Sequence, residues 1–134
     1  MPSPHNGIAF YYDVLPNSTT FLRLLRVIEG AFDKDVVCEL TTWPVDETPP
    51  YNAISYTWGK SHLSENITVN EREMNVRQNC RHVLQQAFAF SPDAYYWCDA
   101  ICIDQADNRE KGDQVAMFGS FYAKATHVLV CVGE

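Results

Sequence analysis

The chain has 134 residues, enough for one domain with a real core and too few for two. Hydrophobic residues make up 46% and charged residues 20%, which excludes a disordered polymer. A net charge of -7, from 17 acidic and 10 scattered basic residues, argues against a nucleic-acid surface, which needs clustered Lys and Arg.

No apolar run reaches the roughly 18 residues that span a bilayer. Met1 to Asn6 has neither the basic flank nor the apolar segment of a signal peptide. Five cysteines are an odd number in a chain without a secretion signal, so they read as reduced thiols in a cytoplasmic protein. The expected partners therefore include neither nucleic acid nor membrane.

Residues 1–20 hold Pro2, Pro4 and Pro16 and read as an extended arm. Phe21 to Ile28 and Val36 to Leu40 read as two strands joined by a turn, hence a hairpin. Pro44, Pro49 and Pro50 mark a loop. Tyr51 to Trp58 reads as a central strand closed by Gly59. Ile67 to Val69 and Glu73 to Val76 flank a turn at Asn70-Glu71-Arg72 and predict a second hairpin.

Cys80, Val83, Leu84, Ala87 and Phe88 fall on one helical stripe, with Asn79 as its cap and Ser91-Pro92-Asp93 as its stop. Tyr95 to Ile103 is almost continuously apolar, as expected of a strand covered on both faces. Asp107 and Glu110 have the spacing of a capping box. Val115, Phe118, Tyr122 and Ala125 form the helical stripe that follows, and His127 to Val132 the last strand. Strands that alternate with helices from Tyr51 onward imply right-handed crossovers.

The predicted fold class is α/β. A mostly parallel central sheet carries helices on both faces, and an N-terminal β-hairpin extension over 1–50 precedes the core at 51–134. The chain stops just after a strand, where such a fold continues into a helix, so it reads as a fragment of a longer protein.

Three blocks carry a family resemblance. Ala53-Ile54-Ser55-Tyr56-Thr57-Trp58-Gly59 is similar to the opening motif of the fungal heterokaryon incompatibility (HET) domain. Trp97-Cys98-Asp99-Ala100-Ile101-Cys102-Ile103-Asp104-Gln105 resembles its central motif, in which Asn is more usual at the place of Asp104. Glu110-Lys111, Gln114-Val115, Met117 and Tyr122 to Ala125 match the following helix, and Val128 to Glu134 the next strand. The resemblance implies a fungal cell-death effector in non-self recognition, joined to regulatory modules that sense a partner. It also implies a distant kinship with TIR domains, which share a flavodoxin-like sheet. Many of those cleave NAD at the nicotinamide–ribose bond, using a glutamate on the helix after the third core strand. Here that helix lies at or beyond Glu134. NAD enters as a substrate, and no resident cofactor is expected.

In a flavodoxin-like order the ligand crevice lies where strand connections part to opposite faces. Tyr56, Trp58, Gly59, Gly133 and Glu134 would line it, with Trp58 stacking on a flat ring and Gly59 allowing close backbone approach. Alternatively Trp58 plugs the core and Gly59 serves the turn. Asp104, Gln105 and Asp107 either touch a ligand or cap their own loop. Asp99, inside an apolar strand, must be paired or hydrogen-bonded, or else its pKa rises; it either orients a catalytic group or ties a loop amide. Glu110 has two readings: a carboxylate that stabilises positive charge on ribose as nicotinamide leaves, or the capping partner of Asp107. Cys98 and Cys102, on a regular strand, would sit roughly 13 Å apart, too far for a disulfide. No metal ligand set is predicted, because no His lies at ligand spacing from a Cys pair. Two functions remain open: an NAD glycohydrolase-type effector, with Glu134 and Glu110 as candidate catalytic groups, and a non-enzymatic module that acts by self-association or partner recruitment.

Overall fold

The computed structural model describes residues 8–56 and 63–131. Strands β1 (Phe21–Glu29) and β2 (Val37–Pro44) pair antiparallel, with Phe21 opposite Pro44 and a bulge between Val27 and Glu29. Strand β3 is Tyr51–Tyr56. Strands β4 (Ser64–Val69) and β5 (Arg72–Arg77) form the second predicted hairpin. Its two-residue turn puts Asn70 and Glu71 at φ 51° and 65°, the left-handed geometry that suits the twist of a hairpin. The Asn70 side chain also stitches the hairpin to β2. Its Oδ1 accepts from the Leu40 N–H at 2.8 Å and its Nδ2 donates to the Leu40 carbonyl at 3.1 Å.

Helix α1 (Gln78–Phe90) buries the predicted stripe of Cys80, Val83, Leu84 and Ala87. Its cap position is Arg77, and Asn79 lies one residue inside the helix rather than capping it. The helix stops at Ser91 as expected.

The expected strand from Tyr95 to Ile103 is only three residues long. Strand β6 is Tyr95–Trp97, after which the chain coils into a short helix α2 (Asp99–Cys102). Cys98, Ile101, Cys102 and Ile103 are all fully buried, so the apolar run is identical for a buried strand and a buried helical turn. The single helix expected over Val115 to Ala125 is two, α3 (Asn108–Ala116) and α4 (Phe118–Lys124), broken at Met117. Val115 does not join the buried stripe; it is exposed. Gln114 turns inward instead, because its Nε2 donates to the carbonyls of Ser18 and Phe21 at 2.9 and 2.8 Å. Strand β7 is Val128–Cys131.

All seven strands form one sheet in the order β5-β4-β2-β1-β6-β3-β7. The expectation of a mostly parallel, flavodoxin-like sheet is corrected: the sheet is mixed, with more antiparallel than parallel residue pairs. β1 pairs antiparallel with both β2 and β6, so the N-terminal hairpin sits in the middle of the sheet. Among the named strands, parallel pairing is confined to β2 with β4 and to the block β6-β3-β7. Within that block the predicted pairing of β3 with β7 is present, from Ala53 opposite Val128 to Tyr56 opposite Cys131.

Both sheet faces carry helices, as expected. Successive strand residues point to opposite faces, and Tyr96 and Trp97 show it. The Tyr96 hydroxyl donates to the Ala87 carbonyl of α1 at 2.7 Å. The Trp97 ring packs on Phe118, Phe121 and Tyr122 of α4, at centroid distances of 5.1, 5.2 and 5.4 Å. Among the described residues no helix is long and apolar enough to cross a membrane.

Candidate functional site

The central motif is held by a buried ion pair. Arg23 of β1 meets Glu110 of α3 with Nη1–Oε2 at 2.7 Å and Nη2–Oε1 at 2.8 Å. Nη1 also donates to the Cys102 carbonyl at 3.1 Å, and Nη2 to the Asp13 carbonyl at 2.8 Å. The Asp104 N–H donates to Glu110 Oε2 at 2.7 Å. Tyr12 lies 4.8 Å from the Arg23 Cζ and its hydroxyl donates to the Ile101 carbonyl at 2.7 Å. Burial, above all, holds the Tyr12 hydroxyl protonated far above its ordinary range.

The capping box is half present. Asp107 Oδ1 accepts from the Glu110 N–H at 3.0 Å, as predicted. The Glu110 carboxylate does not reach back to Asp107, whose N–H donates to the Asp104 carbonyl instead. Both Glu110 oxygens are occupied by Arg23 and Asp104. The other acidic and amide groups of this turn also act locally. Asp104 Oδ1 accepts from the Ala106 N–H at 3.1 Å, and Gln105 Nε2 donates to the Asp99 carbonyl at 2.9 Å.

A second polar group gathers at the carboxyl ends of β3 and β6, on the α4 face. Ser55 lies on β3 opposite Val130, and the Tyr122 hydroxyl is pushed up above all by burial. Burial raises the pKa of the Asp99 carboxylate. Trp97 Nε1, fully buried beside Tyr122, has no acceptor.

Of the predicted crevice residues, Tyr56 is placed only as the last main-chain position of β3, opposite Cys131. Trp58, Gly59, Gly133 and Glu134 lie outside the described residues. Glu110 and Asp104 are brought into direct contact, at the α3 start, while Gln105 is tied to α2.

Cys98 and Cys102 are not strand neighbours roughly 13 Å apart. They span one helical turn, with the Cys102 N–H donating to the Cys98 carbonyl at 2.8 Å and the Cys98 N–H to Cys102 Sγ at 3.4 Å. With Cys38 and Cys80 they are free, buried thiols. Burial pushes Cys102 up to about 12, and a hydrogen bond with Cys80, reinforced by burial, raises Cys98. Thiols held protonated in this way are poor nucleophiles and poor metal ligands. Among the described residues no cluster of His, Cys, Asp or Glu is arranged to hold a metal.

The family model of the heterokaryon incompatibility protein (HET) matches residues 51–134. The chain belongs to the heterokaryon incompatibility family. Heterokaryon incompatibility protein 6, OR allele, of Neurospora crassa is similar to it, with 30% identity over 143 residues, covering 95% of this chain and 21% of that protein. The chain thus spans about a fifth of the length of this relative. That likeness runs into the segment before residue 51, where β1 supplies Arg23 to the HET motif. No solved structure matches the chain.

Two members of the ion-pair group, Arg23 and Tyr12, lie outside the family motifs and carry no strong sequence signature. Arg23 alone has a faint one, a charge between Leu22 and Leu24 in an otherwise apolar strand. A charge there is either at an edge or paired inside.

Proposed function

We propose that this HET domain is the effector part of a cytoplasmic protein of fungal non-self recognition, and that it triggers cell death by cleaving NAD at the nicotinamide–ribose bond. The observation that carries the reading is the parallel block β6-β3-β7, with Ser55 late in β3 and Asp99 just beyond the end of β6 at its carboxyl edge. Open α/β sheets bind ligands outside the carboxyl ends of parallel strands, where connections part to opposite faces. Here α1 leads into β6 on one face, and α4 leads into β7 on the other.

In this reading Tyr56, Trp58, Gly59 and Gly133 follow or end β3 and β7 and contact the dinucleotide. Glu134 supplies the carboxylate that stabilises the ribose cation as nicotinamide departs. Asp104 and Gln105 shape the rim. Glu110, neutralised by Arg23, positions the central motif rather than meeting substrate. A TIR-like kinship belongs to the same proposal.

A second reading has its own observation. β7 ends the sheet, and it exposes Val128 and Val130. An apolar edge strand is a template for pairing with another chain, which favours self-association or recruitment of a regulatory sensor domain. Incubation of the full chain with NAD at several protein concentrations separates the two. Release of nicotinamide supports the enzyme, and cell death without any release at any concentration supports the recruitment module.

A further inference from the structure

We propose that the cavity between Phe90 and His127, at the amino end of β3, binds an adenine-type base. It lies at the opposite end of the parallel block from the edge assigned to NAD above, and it does not depend on that reading. The floor of the cavity is Asn52. This residue pairs in register with Tyr96, whose hydroxyl reaches α1, so its side chain points to the α1 face. Asn52 is only 7% exposed, yet among the described residues its side-chain amide has no hydrogen-bond partner. It faces a cavity of about 480 Å³, within the roughly 300–1,000 Å³ of small-molecule sites.

Both walls are held by main-chain bonds. On one side α1 ends at Phe90, and the Ser91 N–H donates to the Ala87 carbonyl at 3.0 Å. On the other side the lead-in to β7 is fixed to β3. The Thr126 N–H donates to the Tyr51 carbonyl at 2.8 Å, and the Ala53 N–H to the His127 carbonyl at 2.9 Å. The Phe90 and His127 rings stand edge to face, with centroids 6.1 Å apart, and both are exposed at the rim.

The chemistry of this cavity is selective. No Asp, Glu, Lys or Arg lines it, in a chain of net charge -7, so it favours an uncharged ligand over a phosphate or a cation. An Asn amide presents an acceptor and a donor side by side. Adenine offers the complementary pair at N6–H and N7, the contact by which Asn reads this base. Bases also stack on aromatic side chains, which the two rim rings supply. The amide on the floor reads the amino edge, and the sugar is left to solvent.

The test titrates the full chain with adenosine and with purine riboside, which lacks the 6-amino group. Wild type should bind adenosine about five- to tenfold more tightly, the worth of one buried hydrogen bond. Adenosine should also shift the His127 ring proton resonances. Asn52→Leu should lose the preference and bind both ligands alike. Phe90→Ala, at an exposed position, should weaken both by about tenfold through lost stacking and keep the preference. Thermal unfolding checks that each variant is folded. No adenosine binding by wild type overturns the site, as do unshifted His127 resonances or an undiminished preference in folded Asn52→Leu. If Asn52→Leu does not fold, Phe90→Ala decides: the loss sustains the site, and unchanged adenosine affinity overturns it.

Discussion

Arg23 and Glu110 stand 87 residues apart in sequence and meet in the core as a two-pronged ion pair, 3% and 2% exposed. Arg23 belongs to the central strand of the sheet, and Glu110 to the first turn of the helix after the central HET motif. Each carries bonds to a third segment. Arg23 holds the arm through the Asp13 carbonyl, and Glu110 holds the loop through the Asp104 N–H. One pair therefore fixes the arm, the sheet and the motif loop relative to each other.

A buried pair broken on one side leaves an uncompensated charge. Arg23→Met and Glu110→Gln should each destabilise the fold by about 3–5 kcal/mol. The double variant Arg23→Met, Glu110→Leu should lose much less than the sum, since no buried charge is left. Urea unfolding of the three variants measures this. Additive losses would show that the two residues act separately.

The family match begins at residue 51, but the sheet does not. Residues 51–134 expressed alone lack β1 and β2, the two strands between β4 and β6, and with β1 the partner of Glu110. That segment should show no cooperative unfolding transition by circular dichroism, because it cannot bury Tyr96 and Ile101 or neutralise Glu110. A sharp transition in the segment alone would mean that the hairpin only decorates the core.

Asp99 makes stability depend on pH. Burial raises its folded-state pKa above the ordinary 3.8, so the folded protein holds this proton more tightly than the unfolded chain does. Its contribution is fully present below pH 3.8 and is lost as pH rises through the raised value. Asp99→Asn removes this dependence. Its melting temperature relative to wild type should therefore be higher at neutral pH than in acid. The opposite slope would mean that the carboxylate is stabilised by a partner in its charged form.

Gly30 closes the β1–β2 connection against α1. A Cβ there would stand 2.7 Å from Phe88 Cβ and 2.9 Å from Val27 Cγ1. Gly30→Ala should cost about 1–3 kcal/mol through overpacking, read from thermal unfolding. Gly112→Ala, with open space around it, is the control and should stabilise by about 0.5–1 kcal/mol through helix propensity.

The sequence carried the elements more faithfully than their arrangement. Both hairpins, the α1 stripe and the parallel partnership of β3 with β7 were legible, because apolar period and turn residues are local signals. The place of β1–β2 was not. An apolar strand such as Phe21 to Ile28 states that it is buried, not which neighbours bury it. The run from Tyr95 to Ile103 misled because burial on all sides erases the difference between strand and helix. Glu110 stands out in the sequence by its spacing from Asp107, but its ion-pair partner lies in another element that spacing does not see.

The central claim is that chemistry sits at the carboxyl edge of β6-β3-β7 and that Glu110 only supports it. The direct measurement is nicotinamide release from NAD by the full chain and by Glu134→Gln, with thermal unfolding of both. The account predicts release by wild type and a fall of about 10²-fold or more in Glu134→Gln at unchanged stability, the scale of losing one preorganised charge in the transition state. Full activity in a folded Glu134→Gln variant, or no release by wild type, would contradict it.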